Sequence, residues 1–147
     1  MVAYSFQRRF AEPIRVGLSS VSLSFDRWPK RQTIRAMGKR RHASPGEIVQ
    51  LYTGMRTRNC ELLGEGRCVG FGGVLLKWSE WPSYCLFDLF EHAPREFRRV
   101  GPLRPIADMD QFARDDGFND FDDMKAFWFD THGATTFEGV VIKWEPL

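Results

Sequence analysis

Alternation of apolar and polar positions is the dominant pattern along the chain, and it predicts β-strands over most of its length. The clearest stretches combine this alternation with β-branched or aromatic residues and end at glycine or proline turns. A further stretch, residues 19–25, fits either a hairpin strand or an exposed loop. The predicted strands cover residues 4–10, 32–35, 47–53, 60–63, 67–78, 85–90 and 136–144.

Apolar positions spaced three and four apart predict helices in two regions. A short turn follows Pro13, which suits the first turn of a helix. Near the C-terminus, Asp108 with Gln111 three residues later forms a capping-box pattern, and that helix is expected to stop at Gly117. A second helix is predicted to begin near Asn119 or Asp120 and to end at Gly133. Apolar spacing places Phe112 on the buried face of the first helix and Trp128 on that of the second. Two helices therefore lie near the C-terminus.

The order of these elements, mostly strands, then two helices, then a strand, predicts an α+β fold. Gly70, Gly72 and Gly73 mark a bulge or a sharp bend in one long strand region. Strands that curl in this way favour a small β-barrel, of about five to six strands, with flanking helices. A chain of 147 residues without an internal repeat or linker predicts a single domain, 1–147.

Composition excludes several classes of protein. The chain is 43% hydrophobic and 14% aromatic, which excludes wholesale disorder. Its longest apolar stretch is far shorter than the roughly 20 residues of a membrane-spanning helix, and residues 1–10 do not resemble a secretory signal. We therefore expect a cytoplasmic protein without a membrane partner. Three cysteines and three histidines at unsuitable spacings predict neither a metal site nor a cofactor.

Charge divides the chain into two unlike parts. Residues 1–60 carry 12 Lys and Arg against 3 Asp and Glu, whereas residues 61–147 carry 9 against 16, so the overall charge of +2 hides nets of +9 and −7. Seven of the lysines and arginines fall within residues 27–41, and this segment contains no aspartate or glutamate. Such asymmetry indicates an anionic partner for the first part.

Several short motifs together resemble the ASCH domain family, in its phage and bacterial form. The resemblance covers most of the chain and implies a PUA-like β-barrel that interacts with RNA or nucleotides. Relative to the family pattern, residues 18–29 form an insertion before Lys30. The motifs are Phe6–Phe10, Pro13–Ile14, Lys30–Arg35, Pro45–Arg56, Phe112–Phe118 and Phe137–Trp144.

The resemblance extends to small bacterial ASCH amidohydrolases that deacetylate N4-acetylcytidine. Carried over, it implies Lys30 as the base, Thr33 as the nucleophile and Asp116 as the acid, with Asp115 as the alternative. The chemistry is sound, because neighbouring cations lower a lysine pKa and an unprotonated amine can activate a hydroxyl. In a regular strand, residues three apart face opposite sides, so Lys30 and Thr33 converge only if a turn separates them.

Nucleic-acid binding needs less exact geometry. The cations proposed to contact phosphates are Arg31, Arg35, Lys39, Arg40, Arg41 and Arg56. Trp28 and Tyr52 are candidate stacking residues. Trp28 lies in a predicted exposed loop, Asp26–Lys30, whereas core packing is the alternative for Tyr52.

Three hypotheses follow, of which binding of RNA or of a modified nucleoside or nucleotide is favoured. The others are the amidohydrolase and a charged protein-interaction module using the insertion. The near-cancellation of charge favours a small or single-stranded ligand.

Overall fold

The computed structural model describes residues 1–19, 28–78, 84–90, 104–133 and 136–147. The strands are β1 (Val2–Phe6), β2 (Gln32–Arg35), β3 (Ile48–Thr53), β4 (Glu61–Lys77), β5 (Tyr84–Phe90), β6 (Arg104–Pro105) and β7 (Thr136–Pro146). The helices are α1 (Ala11–Leu18), α2 (Met109–Asp115) and α3 (Phe121–His132), and a 3-10 turn, Arg8–Phe10, precedes α1. The α+β class and the two helices near the C-terminus are confirmed.

One mixed sheet is organised around the long strand β4. Strand β3 pairs with Glu61–Arg67, β5 pairs with Phe71–Lys77, and β7 pairs along Gly66–Lys77, all antiparallel. β1 joins β3 in parallel, β2 joins β7 and β6 joins β5. The register of β4 on β7 shifts between Cys68 and Gly70, which is the bulge that the glycines predicted.

The predicted small β-barrel is wrong, because the sheet does not close. Within the described residues β1 pairs only with β3 and β2 only with β7, so the sheet stops before β1 and β2 meet. We call the space between β1 and β2 the seam. Polar side chains occupy it: the Arg35 guanidinium crosses from β2 to donate to the Ser5 carbonyl at 2.8 Å. The Arg35 side chain therefore lies where backbone hydrogen bonds between β1 and β2 would have closed the barrel.

Local elements differ from the pattern at three places, one of which is the short strand β6, which was not predicted. Residues 60–63 and 67–78 belong to one continuous strand, β4, and residues 8–10 form the 3-10 turn instead of extending β1. That turn places the Phe10 ring 5.3 Å from the ring of Phe118 and 5.4 Å from that of Phe127. Burial of Phe10 thus favours the turn over a longer strand.

The helix ends follow the predicted capping. Asp108 accepts a hydrogen bond from the Gln111 backbone N–H at 2.9 Å, and Asp120 caps α3 in the same way. Gly133 ends α3 in the left-handed conformation, with φ of 59°. Among the described residues, no helix combines the length and apolar character needed to cross a membrane.

The core lies between the sheet and the C-terminal helices. It includes Phe71 and Trp144 from the sheet and Met124 from α3, all nearly inaccessible to solvent. Residues 20–27 of the insertion lie outside the described residues, as does most of the stretch predicted as a hairpin strand or loop. The protein-interaction hypothesis, which depends on that insertion, therefore stays a prediction.

Candidate functional site

The backbone around Lys30 is fixed by two helices. The Lys30 N–H donates to the Pro13 carbonyl of α1 at 2.9 Å, and the Arg31 N–H donates to the Asp115 carbonyl at the end of α2 at 2.9 Å. Gly17 packs directly on the Lys30 backbone, where a Cβ would clash with its carbonyl oxygen. The insertion therefore leaves α1 and returns to it, and Lys30 is beside Gly17 despite the 12 residues between them.

The Lys30 side chain is buried and paired with Asp116. Its Nζ lies 2.9 Å from Asp116 Oδ1, and the two side chains are 2% and 7% exposed. The same Nζ also donates to the Asp116 carbonyl oxygen. The expectation that Asp26–Lys30 forms an exposed loop is thus wrong for Lys30, because its stem packs on Gly117 and its amine needs the carboxylate.

Gly117 makes this burial feasible. Its φ of 91° is a left-handed conformation that L side chains rarely adopt. A Cβ at this position would lie 2.9 Å from Lys30 Cδ, so a larger residue would push the lysine stem away.

Burial perturbs both members of the pair. It lowers the pKa of Lys30 and raises the pKa of Asp116, while the attraction between the two charges opposes both changes. The two groups remain joined by a 2.9 Å hydrogen bond between Lys30 Nζ and Asp116 Oδ1. Aromatic faces complete the enclosure, since Nζ lies 4.7 Å from the Phe10 ring centroid and 5.5 Å from that of Phe6.

Thr33 and Arg35 face the same site from β2. Residues two apart in a strand share a face, and Arg35 Nε donates to Thr33 Oγ1 at 3.1 Å. Lys30 joins them because β2 begins only at Gln32, so the strand alternation does not extend to it. Both hydrogen bonds that Lys30 Nζ donates within the described residues go to Asp116.

These four residues, Lys30, Thr33, Arg35 and Asp116, line one pocket of about 360 Å³ at the seam. Aromatic rings form much of the wall, and we call it the aromatic pocket. Its aromatic lining residues are Phe6, Phe10, Phe118, Phe127, Trp128, His132 and Phe137. A pocket with an apolar wall and few polar groups is the usual form of a small-molecule site.

A second cleft, of about 680 Å³, continues the seam on the other side of Arg35. Four predicted phosphate-binding residues line it together with β1, and we call it the basic cleft; they are Arg35, Arg40, Arg41 and Arg56. Ser5, Arg35 and Ala36 line both cavities. Arg41 is already neutralised, because Glu47 accepts two hydrogen bonds from it at 2.7 Å.

The other predicted binding residues lie outside these two cavities. Arg31 donates from Nε to the Gly17 carbonyl, and Lys39 is exposed on the loop after β2. Tyr52 is partly buried on β3, with its hydroxyl near Gln50. Trp28 is 46% exposed, as expected, but it stacks on the Arg114 guanidinium, whose carbon is 4.5 Å from the ring centroid.

Asp115, the alternative acid, also lies outside the aromatic pocket. Its carboxylate accepts from the Gln111 side-chain amide at 2.9 Å.

Sequence reasoning missed the aromatic wall. Phe118, Phe127 and His132 were not singled out, although aromatic residues are frequent between 118 and 137. Spacing identified Trp128 as an apolar position of α3, and the structure buries it at 5% exposure beside the pocket.

The described residues contain no cluster of histidine, cysteine and acidic side chains suited to a metal ion. Comparison with family models, with curated proteins and with solved structures found no significant match.

Proposed function

We propose that this chain is an ASCH-type domain that binds a nucleotide or an unpaired RNA base in the aromatic pocket. The observation that carries the proposal is that Lys30, Thr33, Arg35 and Asp116 line one cavity although Asp116 is distant in sequence from the other three. The motif resemblance supports the same conclusion, because its most specific segment, Lys30–Arg35, supplies three of these residues.

The chemistry of the cavity suits a nucleobase. A base has two apolar faces that stack on aromatic rings and a polar edge that needs donors and acceptors. The rings of Phe10 and Phe118 supply apolar surface, and the Lys30–Asp116 pair supplies a donor beside an acceptor. A duplex does not offer its base edges to an enclosed cavity, so the ligand is a single nucleotide or an unpaired base.

Calorimetric titration with cytidine, N4-acetylcytidine and a short single-stranded RNA tests this proposal. Asp116→Asn removes the charge that holds Lys30, and we expect it to weaken binding about tenfold or more. Asp115→Asn is the matched control, because its carboxylate contacts Gln111 outside the pocket, and its affinity should stay within about twofold of wild type. Absence of binding at low salt, or equal losses in both variants, would refute the proposal.

A second function, hydrolysis of an N4-acylated cytidine, is favoured by the shared location of Thr33, Lys30 and Asp116. Thr33 Oγ1 would attack the acyl carbonyl while Lys30, as a neutral amine, takes the hydroxyl proton and delivers it to the leaving cytosine amine. Water then hydrolyses the threonine ester and releases the acid. Binding is better supported, because Lys30 is hydrogen-bonded to Asp116 and Thr33 to Arg35.

Incubation with N4-acetylcytidine separates the two functions. Hydrolysis predicts equal amounts of cytidine and acetate, abolished in Thr33→Val and retained in part in Thr33→Ser. If the ligand binds and no cytidine forms, hydrolysis is wrong and the binding function stands.

A further inference from the structure

The guanidinium of Arg35 forms no ion pair with a described residue. It donates to the Thr33 hydroxyl and the Ser5 carbonyl, both neutral, and the Asp116 carboxylate, which is more than 4 Å away, attracts it only at longer range. Its carbon lies 4.8 Å from the Phe6 ring centroid and 5.5 Å from that of Tyr4. A partly buried cation is costly without an anion, so this position is prepared for a negative group.

The basic cleft beside Arg35 has room for a negatively charged group. The described residues that line it include Arg40 and Arg56 and no aspartate or glutamate. Both arginines are exposed, and neither forms an ion pair within the part of the chain that the structure describes. Arg41, which also lines the cleft, is paired with Glu47 and contributes little net charge.

Arg56 adds an independent observation. It is the one residue other than glycine with a positive φ, 69°, in the described chain. A branched or long side chain adopts this conformation at an energetic cost, and such residues concentrate at binding sites. Here the conformation places an arginine on the cleft.

We propose that the basic cleft is a phosphate-binding subsite in which Arg35, Arg40 and Arg56 hold the phosphate of a nucleotide whose base occupies the aromatic pocket. This inference rests on the proposed function and makes it specific. The ligand is a nucleotide, either as a phosphate monoester or as a phosphodiester within RNA, and a free nucleoside fills only half of the site. Arg35 lies between the two cavities and contacts both parts of the ligand.

The test compares ligands that share a base and differ in phosphate. Wild-type protein is titrated with cytidine, cytidine 5′-monophosphate, cytidine 3′-monophosphate and the trinucleotide CpCpC at low salt. We expect at least one phosphate-bearing ligand to bind about tenfold more tightly than cytidine, since charge-assisted hydrogen bonds to arginine are strong. The monophosphates report a terminal phosphate, and a preference for the trinucleotide assigns the subsite to an RNA backbone.

The decisive variant is Arg40→Gln/Arg56→Asn, in which asparagine tolerates the left-handed conformation. We expect it to lose most of the preference for phosphate and to keep the affinity for cytidine within about twofold. Arg58→Gln/Arg67→Gln is the matched control, because it removes the same charge from exposed arginines outside the cleft.

The outcomes separate the two proposals. Equal affinities of cytidine and all phosphate-bearing ligands would overturn the phosphate subsite and leave the base pocket intact. Equal losses in the cleft variant and the control would also overturn it, because the effect would then be one of net charge. No binding of any ligand would overturn both.

Discussion

Replacing Lys30 with methionine isolates the energetics of the buried pair. Methionine keeps the apolar stem and removes the charge, which leaves the buried Asp116 carboxyl without its partner. At 2.9 Å the attraction between the two charges is about 6 kcal/mol at an effective dielectric constant of about 20. Because the Asp116 carboxylate is buried, hydration cannot replace the lost attraction, and we expect the carboxylate to take up a proton.

The uptake of this proton sets the largest loss of unfolding free energy that we expect for Lys30→Met, and it makes that loss depend on pH. Protonating a carboxyl with an ordinary pKa of 3.8 costs about 1.36 kcal/mol for each pH unit above that value. We therefore expect Lys30→Met to lose up to about 4.4 kcal/mol of unfolding free energy at pH 7 and about 1.6 kcal/mol at pH 5. The folded variant binds a proton that the unfolded chain does not, so its stability rises as the pH falls toward 3.8.

Urea unfolding at several pH values measures this slope. Lys39→Met, at an exposed lysine, is the control and should change the unfolding free energy by less than about 0.5 kcal/mol at either pH. The double variant Lys30→Met/Asp116→Asn has no carboxyl to titrate and should lose the slope. A loss for Lys30→Met that is the same at pH 5 and pH 7 would refute the reasoning.

Two further predictions concern other parts of the fold. The ion pair with Arg41 lowers the pKa of Glu47 to about 2, so its stabilisation is present above pH 4.5 and is lost as the pH falls toward 2. Glu47→Gln should cost about 1 kcal/mol at pH 7 and nothing near pH 2 in urea unfolding. Gly17→Ala should cost about 1–3 kcal/mol because its Cβ meets the Lys30 carbonyl, whereas Gly38→Ala, with open space around it, should be near neutral. A mild effect of Gly17→Ala would contradict the close packing of α1 on the segment before β2.

The sequence predicted the features that depend on neighbouring residues. The caps at Asp108 and Asp120 were predictable because a capping side chain bonds a backbone group three residues away. The strand at 32–35 was predictable for the same reason, since its alternation is local. The grouping of Lys30, Thr33 and Asp116 came from the motif resemblance, and local patterns alone did not give it.

Features that depend on distant segments were not predictable. The burial of Lys30 requires α1, the insertion and the end of α2 to meet, and no local pattern records that meeting. The open seam depends on whether β1 and β2 reach each other, and these strands are connected only through β3, β4 and β7, which lie far apart in sequence. Periodicity marked Phe112 and Trp128 as apolar positions, but it does not show that a cavity remains beside Trp128.

The open seam has a consequence for self-association. Each strand bordering it, β1 and β2, has one edge without a ladder in the described chain, and free edges of this kind recruit strands from other molecules. Arg35 occupies that opening with a charge and already bonds the Ser5 carbonyl of β1. An Arg35→Val variant should therefore aggregate more readily than wild type, because it removes the charge that stands between these two free edges.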